Sequence, residues 1–180
     1  MKRGGALVGS AIFLVIAPGG IAVLVPYWIS GWRIGPPLPG LPALRVVGGA
    51  LIALGIPGLL DSFARFALDG LGTPAPVAPP RRLVVTGLYR YVRNPMYVSL
   101  ESLIVGQGLL FGSVDVLEYG CATWLGFQLF VLLYEEPTLR AKFGADYQQY
   151  CENVRRWIPR RTAWRPADSP DPRSARPARE

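Results

Sequence analysis

Long uncharged runs alternate with short polar stretches along this chain. Residues 6–29 (ALVGSAIFLVIAPGGIAVLVPYWI) carry no charge and predict a first transmembrane helix. It should be loosened around Pro18-Gly19-Gly20, where backbone groups must find other partners. The preceding Lys2 and Arg3 look like a signal-peptide n-region, but the apolar stretch is too long and no small-residue cleavage site follows. Residues 46–60 begin a second, weaker span that continues amphipathically through Phe63, Phe66 and Leu68. Residues 96–112 form a third span and residues 114–134 a fourth, which as a helix measures roughly 31 Å and so crosses the hydrocarbon.

Only Gly112-Ser113 separates spans three and four, which must therefore form an antiparallel hairpin. Beyond them Leu139, Phe143, Tyr147, Tyr150, Cys151, Val154 and Trp157 recur at helical spacing, with charges elsewhere. The expected fold is an all-α integral membrane protein with about four transmembrane helices, a helical hairpin and a C-terminal amphipathic cytoplasmic helix. Four regions follow: a two-span membrane region (1–68), a Pro/Gly-rich linker (69–82), a region dense in motifs (83–160) and a tail (161–180) with the composition of disorder.

Composition narrows the function. Of 180 residues 51% are hydrophobic and 17% charged, which points to lipid rather than to a large soluble core. Sixteen basic residues fall on the side of the N-terminus, against Arg33 and Arg45 on the other side, while Arg65 lies within the second helix. The positive-inside rule then places both termini in the cytoplasm, in an inner-membrane type of arrangement. No basic patch is interleaved with exposed aromatics, so nucleic acid is not an expected partner. Histidine is absent and the cysteines number two, Cys121 and Cys151, which leaves no expected metal site or disulfide.

The chemistry-bearing residues cluster in the motif region. Within TGLYRYVRNPMY, Gly87 makes a turn, Asn94 caps a helix and Pro95 takes its first position. That leaves Tyr89, Tyr91, Arg93 and Tyr97 crowded at one boundary, where an aromatic belt explains some of them. A helix N-terminus beside Arg93 also suits an anionic group such as a carboxylate. Glu101 lies one turn beyond Tyr97 at membrane depth, either hydrogen-bonded to another helix or functional. Cys121, Gln128 and Glu135 repeat every seven residues as a polar-tolerant stripe on the fourth span. Glu135 and Glu136 are expected at that helix's C-terminus. The macrodipole disfavours carboxylates there, so arginines or a cationic ligand must compensate.

The ordered set of motifs resembles the isoprenylcysteine carboxyl methyltransferase family, with its bacterial branch and the related phospholipid methyltransferases. The pieces are Gly87-Leu88-Tyr89, Arg93-Asn94-Pro95-Met96-Tyr97, Glu135-Glu136-Pro137-Thr138-Leu139, Phe143-Gly144 with Tyr147 and Tyr150, and Ile158-Pro159. The resemblance implies S-adenosyl-L-methionine bound at the cytoplasmic boundary and a lipophilic isoprenoid or lipid acceptor, such as a carboxylate, entering from the bilayer. It implies that Tyr89, Arg93, Asn94, Pro95 and Tyr97 line the cofactor, with Gln107 and Gly108 contributing. Glu135 and Glu136 would be catalytic, closing the pocket with Tyr147 and Tyr150. A sulfonium cation suits carboxylates and aromatic faces, and a methionine carboxylate suits Arg93.

Two departures stand out. Asn94 replaces the His of many members, and Phe130-Val131-Leu132-Leu133 lacks the arginine that eukaryotic carboxyl methyltransferases place before the Glu pair. Methylation of a carboxylate needs no base. An amine or hydroxyl needs one, and Glu135, Glu136 or a tyrosine would serve. The competing readings are a sterol-reductase-like membrane enzyme using NADPH and a non-enzymatic four-helix membrane protein.

Overall fold

The computed structural model describes residues 3–38, 40, 42–69 and 82–165. The first apolar run is a continuous helical stretch in three pieces: α1 (Arg3–Gly19), a π-helical turn (Gly20–Leu24) and α2 (Val25–Ser30). The loosening expected at Pro18-Gly19-Gly20 takes the form of that wide turn, which ends two residues before Pro26. A proline lacks the N–H of the helical ladder and its ring crowds the carbonyl four residues back, so the widened turn relieves both problems. Side chains from other helices reach in. Gln107 Nε2 donates to the Ala22 carbonyl at 2.7 Å, and the Tyr119 hydroxyl donates to the Ile21 carbonyl at 3.0 Å.

α3 (Ala43–Leu68) and α4 (Pro95–Phe111) share the most extensive interface among the described elements. Small residues allow it: a Cβ on Gly48 would lie 2.6 Å from the Gly106 carbonyl oxygen, and one on Gly58 would lie 2.6 Å from Ser99 Oγ. Such close backbone approach drives helix association in lipid, where burial of apolar surface gains nothing. Phe63, Met96, Leu100, Ile104 and Val116 fill the core between α3, α4 and α5 (Val114–Phe130). The hairpin turns as expected. Gly112 adopts φ 71°, and the Ser113 side chain accepts from the Val116 N–H to cap α5.

The fourth span departs from expectation. After α5 comes a second π-helical turn (Val131–Glu135), then α6 (Glu136–Asn153) without a break. Pro137 opens α6 just as Pro26 opens α2, each directly after a π turn. No helix terminus therefore exists at Glu135 and Glu136, and the macrodipole argument for a compensating cation does not apply. The run Val114–Asn153 has 40 residues, with a kink at Gly144. Even the part before the kink would measure about 45 Å, well over the hydrocarbon thickness, so residues 114–134 make the crossing and α6 lies beyond it.

Gly144 adopts φ 50° and ψ −121°, which kinks α6 into two halves. The helix ends at Asn153, so Val154 and Trp157 do not continue it as the spacing predicted. By length and composition Ala11–Ser30, Ala43–Phe66 and the Val114 run are each able to cross a membrane, with Pro95–Phe111 a shorter apolar helix. The protein is all-α among its described residues, with about four spans. Most of the expected linker 69–82 and tail 161–180 lies outside the described residues.

Candidate functional site

At the end of the bundle where α4 begins, three segments meet: the loop before α4, the second π turn, and the chain from Gly144 onward. The loop enters through a 3-10 turn at Gly87–Arg90, whose Gly87 has φ 54°. The segment after α6 then laces onto it. Arg93 N donates to the Arg155 carbonyl at 2.9 Å, Arg160 N to the Tyr91 carbonyl at 2.9 Å, and Trp164 N to the Arg90 carbonyl at 3.0 Å. Tyr150 completes the closure, with its hydroxyl donating to the Tyr89 carbonyl at 2.6 Å. Beneath it Tyr147, Tyr150 and Val154 form a small core with Leu83, Val85 and Trp164.

The π turn separates the two carboxylates into different environments. Glu136 is buried between two arginines. Arg156 grips it with both Nε at 2.6 Å and Nη2 at 3.0 Å, and Arg93 Nη1 lies 3.3 Å from it. Burial pushes the Glu136 carboxyl up, but the Arg156 hydrogen bonds and the Arg93, Arg156 and Arg140 charges outweigh it and hold the group below the ordinary carboxylate range. Glu135 instead accepts from the Tyr97 hydroxyl at 3.0 Å. Arg93 also donates to Cys151 Sγ, while its Nε is buried with no hydrogen-bond partner among the described residues.

Two small cavities of about 40 and 30 Å³ flank these groups, and Phe66, Tyr89, Arg93, Asn94 and Glu135 line both. Leu139, Tyr147 and Tyr150 help to close the larger cavity, while Met96 and Tyr97 help to close the smaller. Burial, with the Glu135 charge behind it, raises the Tyr89 phenol well above its usual range, and burial likewise raises Tyr147 and Tyr150. Burial therefore favours the neutral form of these tyrosines, and Tyr150 uses its hydroxyl as a donor.

Of the residues singled out from sequence, Tyr89, Arg93, Asn94, Tyr97, Glu135, Tyr147 and Tyr150 are brought to this place. Pro95 is buried at the start of α4 and lines neither cavity. Asn94 occupies the cap position of α4, but its side chain makes no cap; Nδ2 donates across to the Arg156 carbonyl at 3.3 Å. Gln107 and Gly108 lie elsewhere, twelve or more residues along α4 from its start. Gln107 is committed to Ala22, to Leu103 and, as acceptor at 3.0 Å, to Trp32 Nε1. Gly108 lets α5 approach, since a Cβ there would meet Leu117 at 2.4 Å. Phe66 escaped the sequence reading of the site, since it was signalled only as part of the amphipathic end of span two. The arginines expected to compensate the glutamate pair are present for Glu136, with Arg156 reaching it from the segment beyond α6.

A much larger groove of about 860 Å³ runs between α1 and α3 around the first π turn. Its walls are aliphatic side chains with Tyr27 and Trp32, and it carries no carboxylate, arginine or lysine. Apolar walls facing lipid offer a surface for chains but no chemistry, so the small polar cavities are the candidate site.

This fold and site define a class: an all-α membrane protein with a buried carboxylate–arginine–tyrosine cluster at one end of its bundle. Residues 43–146, more than half of the chain, match the phospholipid methyltransferase family, and the chain belongs to that family. It is 36% identical over 78 residues to the protein-S-isoprenylcysteine O-methyltransferase of Schizosaccharomyces pombe, a match covering 43% of this chain and 33% of that protein. It is also 33% identical over 70 residues to an uncharacterised Haemophilus influenzae protein, covering 35% of this chain and all of that one. The chain thus spans a third of the length of the fission yeast relative.

Proposed function

We propose that this protein is a membrane methyltransferase that uses S-adenosyl-L-methionine, acts on a lipophilic acceptor drawn from the bilayer, and keeps both termini in the cytoplasm. The observation that carries the reading is the buried Arg93 Nε, which has no partner among the described residues and sits with Asn94 and Glu135 in the walls of both cavities. An orphaned guanidinium nitrogen costs free energy unless a ligand uses it. Arg93 and Asn94 would hold the cofactor's carboxylate. Glu135 with the Tyr89 and Tyr97 rings would face its cationic sulfonium.

S-adenosyl-L-methionine, when bound, supplies an electrophilic methyl group for in-line displacement. The protein's share is position and dryness: Tyr97 fixes Glu135, Arg93 and Asn94 fix the ligand's anionic end, and Tyr147 and Tyr150 exclude water. Glu136 holds the two arginines in place and does not face the cavities. Pockets for ligands of this size run to roughly 300–1,000 Å³, whereas the cavities described total far less. Residues 145–165 must therefore swing outward to admit the cofactor, and Gly144 is the pivot.

Calorimetry on the detergent-solubilised protein tests the reading directly. S-adenosylhomocysteine should bind and NADPH should not; binding of NADPH alone would transfer the assignment to a reductase. Purified protein given radiolabelled S-adenosyl-L-methionine and a lipid extract should label a species that partitions into organic solvent. The orientation rests on the sixteen-to-two distribution of basic residues. Cysteines introduced in residues 161–180 should resist impermeant labels applied to intact cells.

A further inference from the structure

We infer that the loop after α6 seats on the membrane surface, where its exposed arginines bind the headgroups of anionic phospholipids and hold the segment beyond Gly144 against the bundle, whether or not the protein transfers methyl groups. Residues 155–161 read Arg-Arg-Trp-Ile-Pro-Arg-Arg, an apolar centre between two basic pairs. Trp157 fixes the depth of this loop. Its Nε1 donates to Gln128 Oε1 at 2.6 Å, and its ring lies 4.6 Å from that of Trp124. Gln128 and Trp124 precede Tyr134, the end of the crossing, by six and ten residues, about 9 and 15 Å of helix. A loop whose indole reaches that far in lies among the headgroups and not out in water. Main-chain bonds from Arg93 N to the Arg155 carbonyl and from Arg160 N to the Tyr91 carbonyl tie it to the start of α4.

The charges fit that depth. Arg156 is committed to Glu136, but Arg155 and Arg161 are exposed, and neither they nor Arg160 join an ion pair among the described residues. Arg160 Nη1 donates to the Asn153 carbonyl at 3.1 Å, which uses one of its five side-chain donors. Glu152, the carboxylate nearest to Arg155 along the chain, accepts from Gln148 at 3.3 Å instead. Between the basic pairs Ile158 is 62% exposed, an apolar surface that the protein leaves uncovered. An indole and an aliphatic side chain in the interface, flanked by long cations that reach for phosphate, are the parts of an interfacial anchor. A zwitterionic headgroup brings its own cation to each phosphate, whereas an anionic one offers net charge, so the partner is an anionic phospholipid. The same loop carries Arg156, which clamps Glu136, and the carbonyl that receives the Arg93 N–H. Anionic lipid therefore steadies the Glu136–Arg93 cluster from outside.

Hydrogen exchange on the full chain in nanodiscs tests this, comparing phosphatidylcholine alone with an equal mixture of phosphatidylcholine and phosphatidylglycerol. The Arg160 N–H, bonded to Tyr91, reports the docked loop. An arginine on an anionic surface is worth about fivefold, so phosphatidylglycerol should slow exchange across residues 154–161 by about tenfold or more. Helix α4 serves as the internal reference and should not respond. Arg155→Gln combined with Arg161→Gln should remove most of the slowing, and Arg155→Lys combined with Arg161→Lys should keep it, which separates charge from folding. Equal exchange of the wild type in both lipids, or slowing that persists undiminished in the glutamine variant, would overturn the assignment.

Discussion

The described residues contain two π-helical turns, each followed at once by a proline-opened helix, and they have opposite fates. At Gly20–Leu24 the turn lies within the membrane, and its Ala22 and Ile21 carbonyls accept from Gln107 and Tyr119. At Val131–Glu135 the turn sets Glu135 against a cavity wall and Glu136 between two arginines, beside an Arg93 nitrogen with no partner among the described residues. The same backbone device therefore serves packing in one place and a site in the other. A π turn is often a mark of function, but here what decides is whether the groups around it are fully satisfied.

Removing Arg93 should break that contrast most severely. Arg93→Ala deletes the charge that would meet the cofactor carboxylate and one tie to the segment after Gly144. A charge-assisted contact of this kind is worth roughly 1.5–3 kcal/mol, so S-adenosylhomocysteine affinity should fall by about tenfold to a hundredfold in calorimetry. Unchanged affinity would show that the orphaned nitrogen is a packing defect and not a ligand site.

The two glutamates sharpen the comparison next. Glu135→Gln should weaken cofactor binding about tenfold with little change in unfolding temperature, because only the Tyr97 bond is at stake in the fold. Glu136→Gln should do the reverse, destabilising by roughly 1.5–3 kcal/mol as Arg156 and Arg93 lose their anion. A pH series distinguishes them further. The Glu136 carboxyl is held below its ordinary range, so its contribution is complete above the unfolded pKa and disappears as pH falls through the folded one. Acid should loosen the wild-type C-terminal segment, as seen by hydrogen exchange, and the Glu136→Gln protein should lack that acid step.

Much of the fold could be read because lipid imposes simple rules. Uncharged runs gave the helices, and the two-residue Gly112-Ser113 link left only a hairpin. The first π turn follows directly on the expected weak point at Pro18-Gly19-Gly20, whereas the second, before Pro137, was not expected. The cavity-lining tyrosines, Arg93 and Glu135 were legible through their order along the chain. Three features were not. The continuity of α5 into α6 removed the helix end assumed at Glu135. Arginines were expected to compensate the glutamate pair, but that Arg156 would do so for Glu136 alone, from a loop, is something periodicity cannot say. Gln107 entered the site through the resemblance, yet its partners are backbone carbonyls and Trp32.

Gly144 tests whether the site depends on the kink. No described atom lies within 4 Å of where its Cβ would be, so Gly144→Ala meets only backbone strain. At φ 50°, ψ −121° that strain is about 1–3 kcal/mol for a residue with a Cβ. The substitution should shift Tyr147 and Tyr150 away from the cavity and lower S-adenosylhomocysteine affinity several-fold, while α1 to α5 stay intact by circular dichroism.

The smallest effect belongs to the first π turn. Gln107→Leu removes the donor to the Ala22 carbonyl and the acceptor for Trp32 Nε1. Polar contacts between helices in lipid are worth about 0.6 kcal/mol on average and up to roughly 1.7, so the loss in stability should fall in that range. Tyr119→Phe, which frees the Ile21 carbonyl, should cost a similar amount. Neither should alter cofactor affinity, because the groups they serve belong to packing in the bundle. A loss of S-adenosylhomocysteine binding in Gln107→Leu, without a matching loss of stability, would mean that the two π turns communicate, and that the membrane half of the molecule shapes the site rather than merely holding it in place.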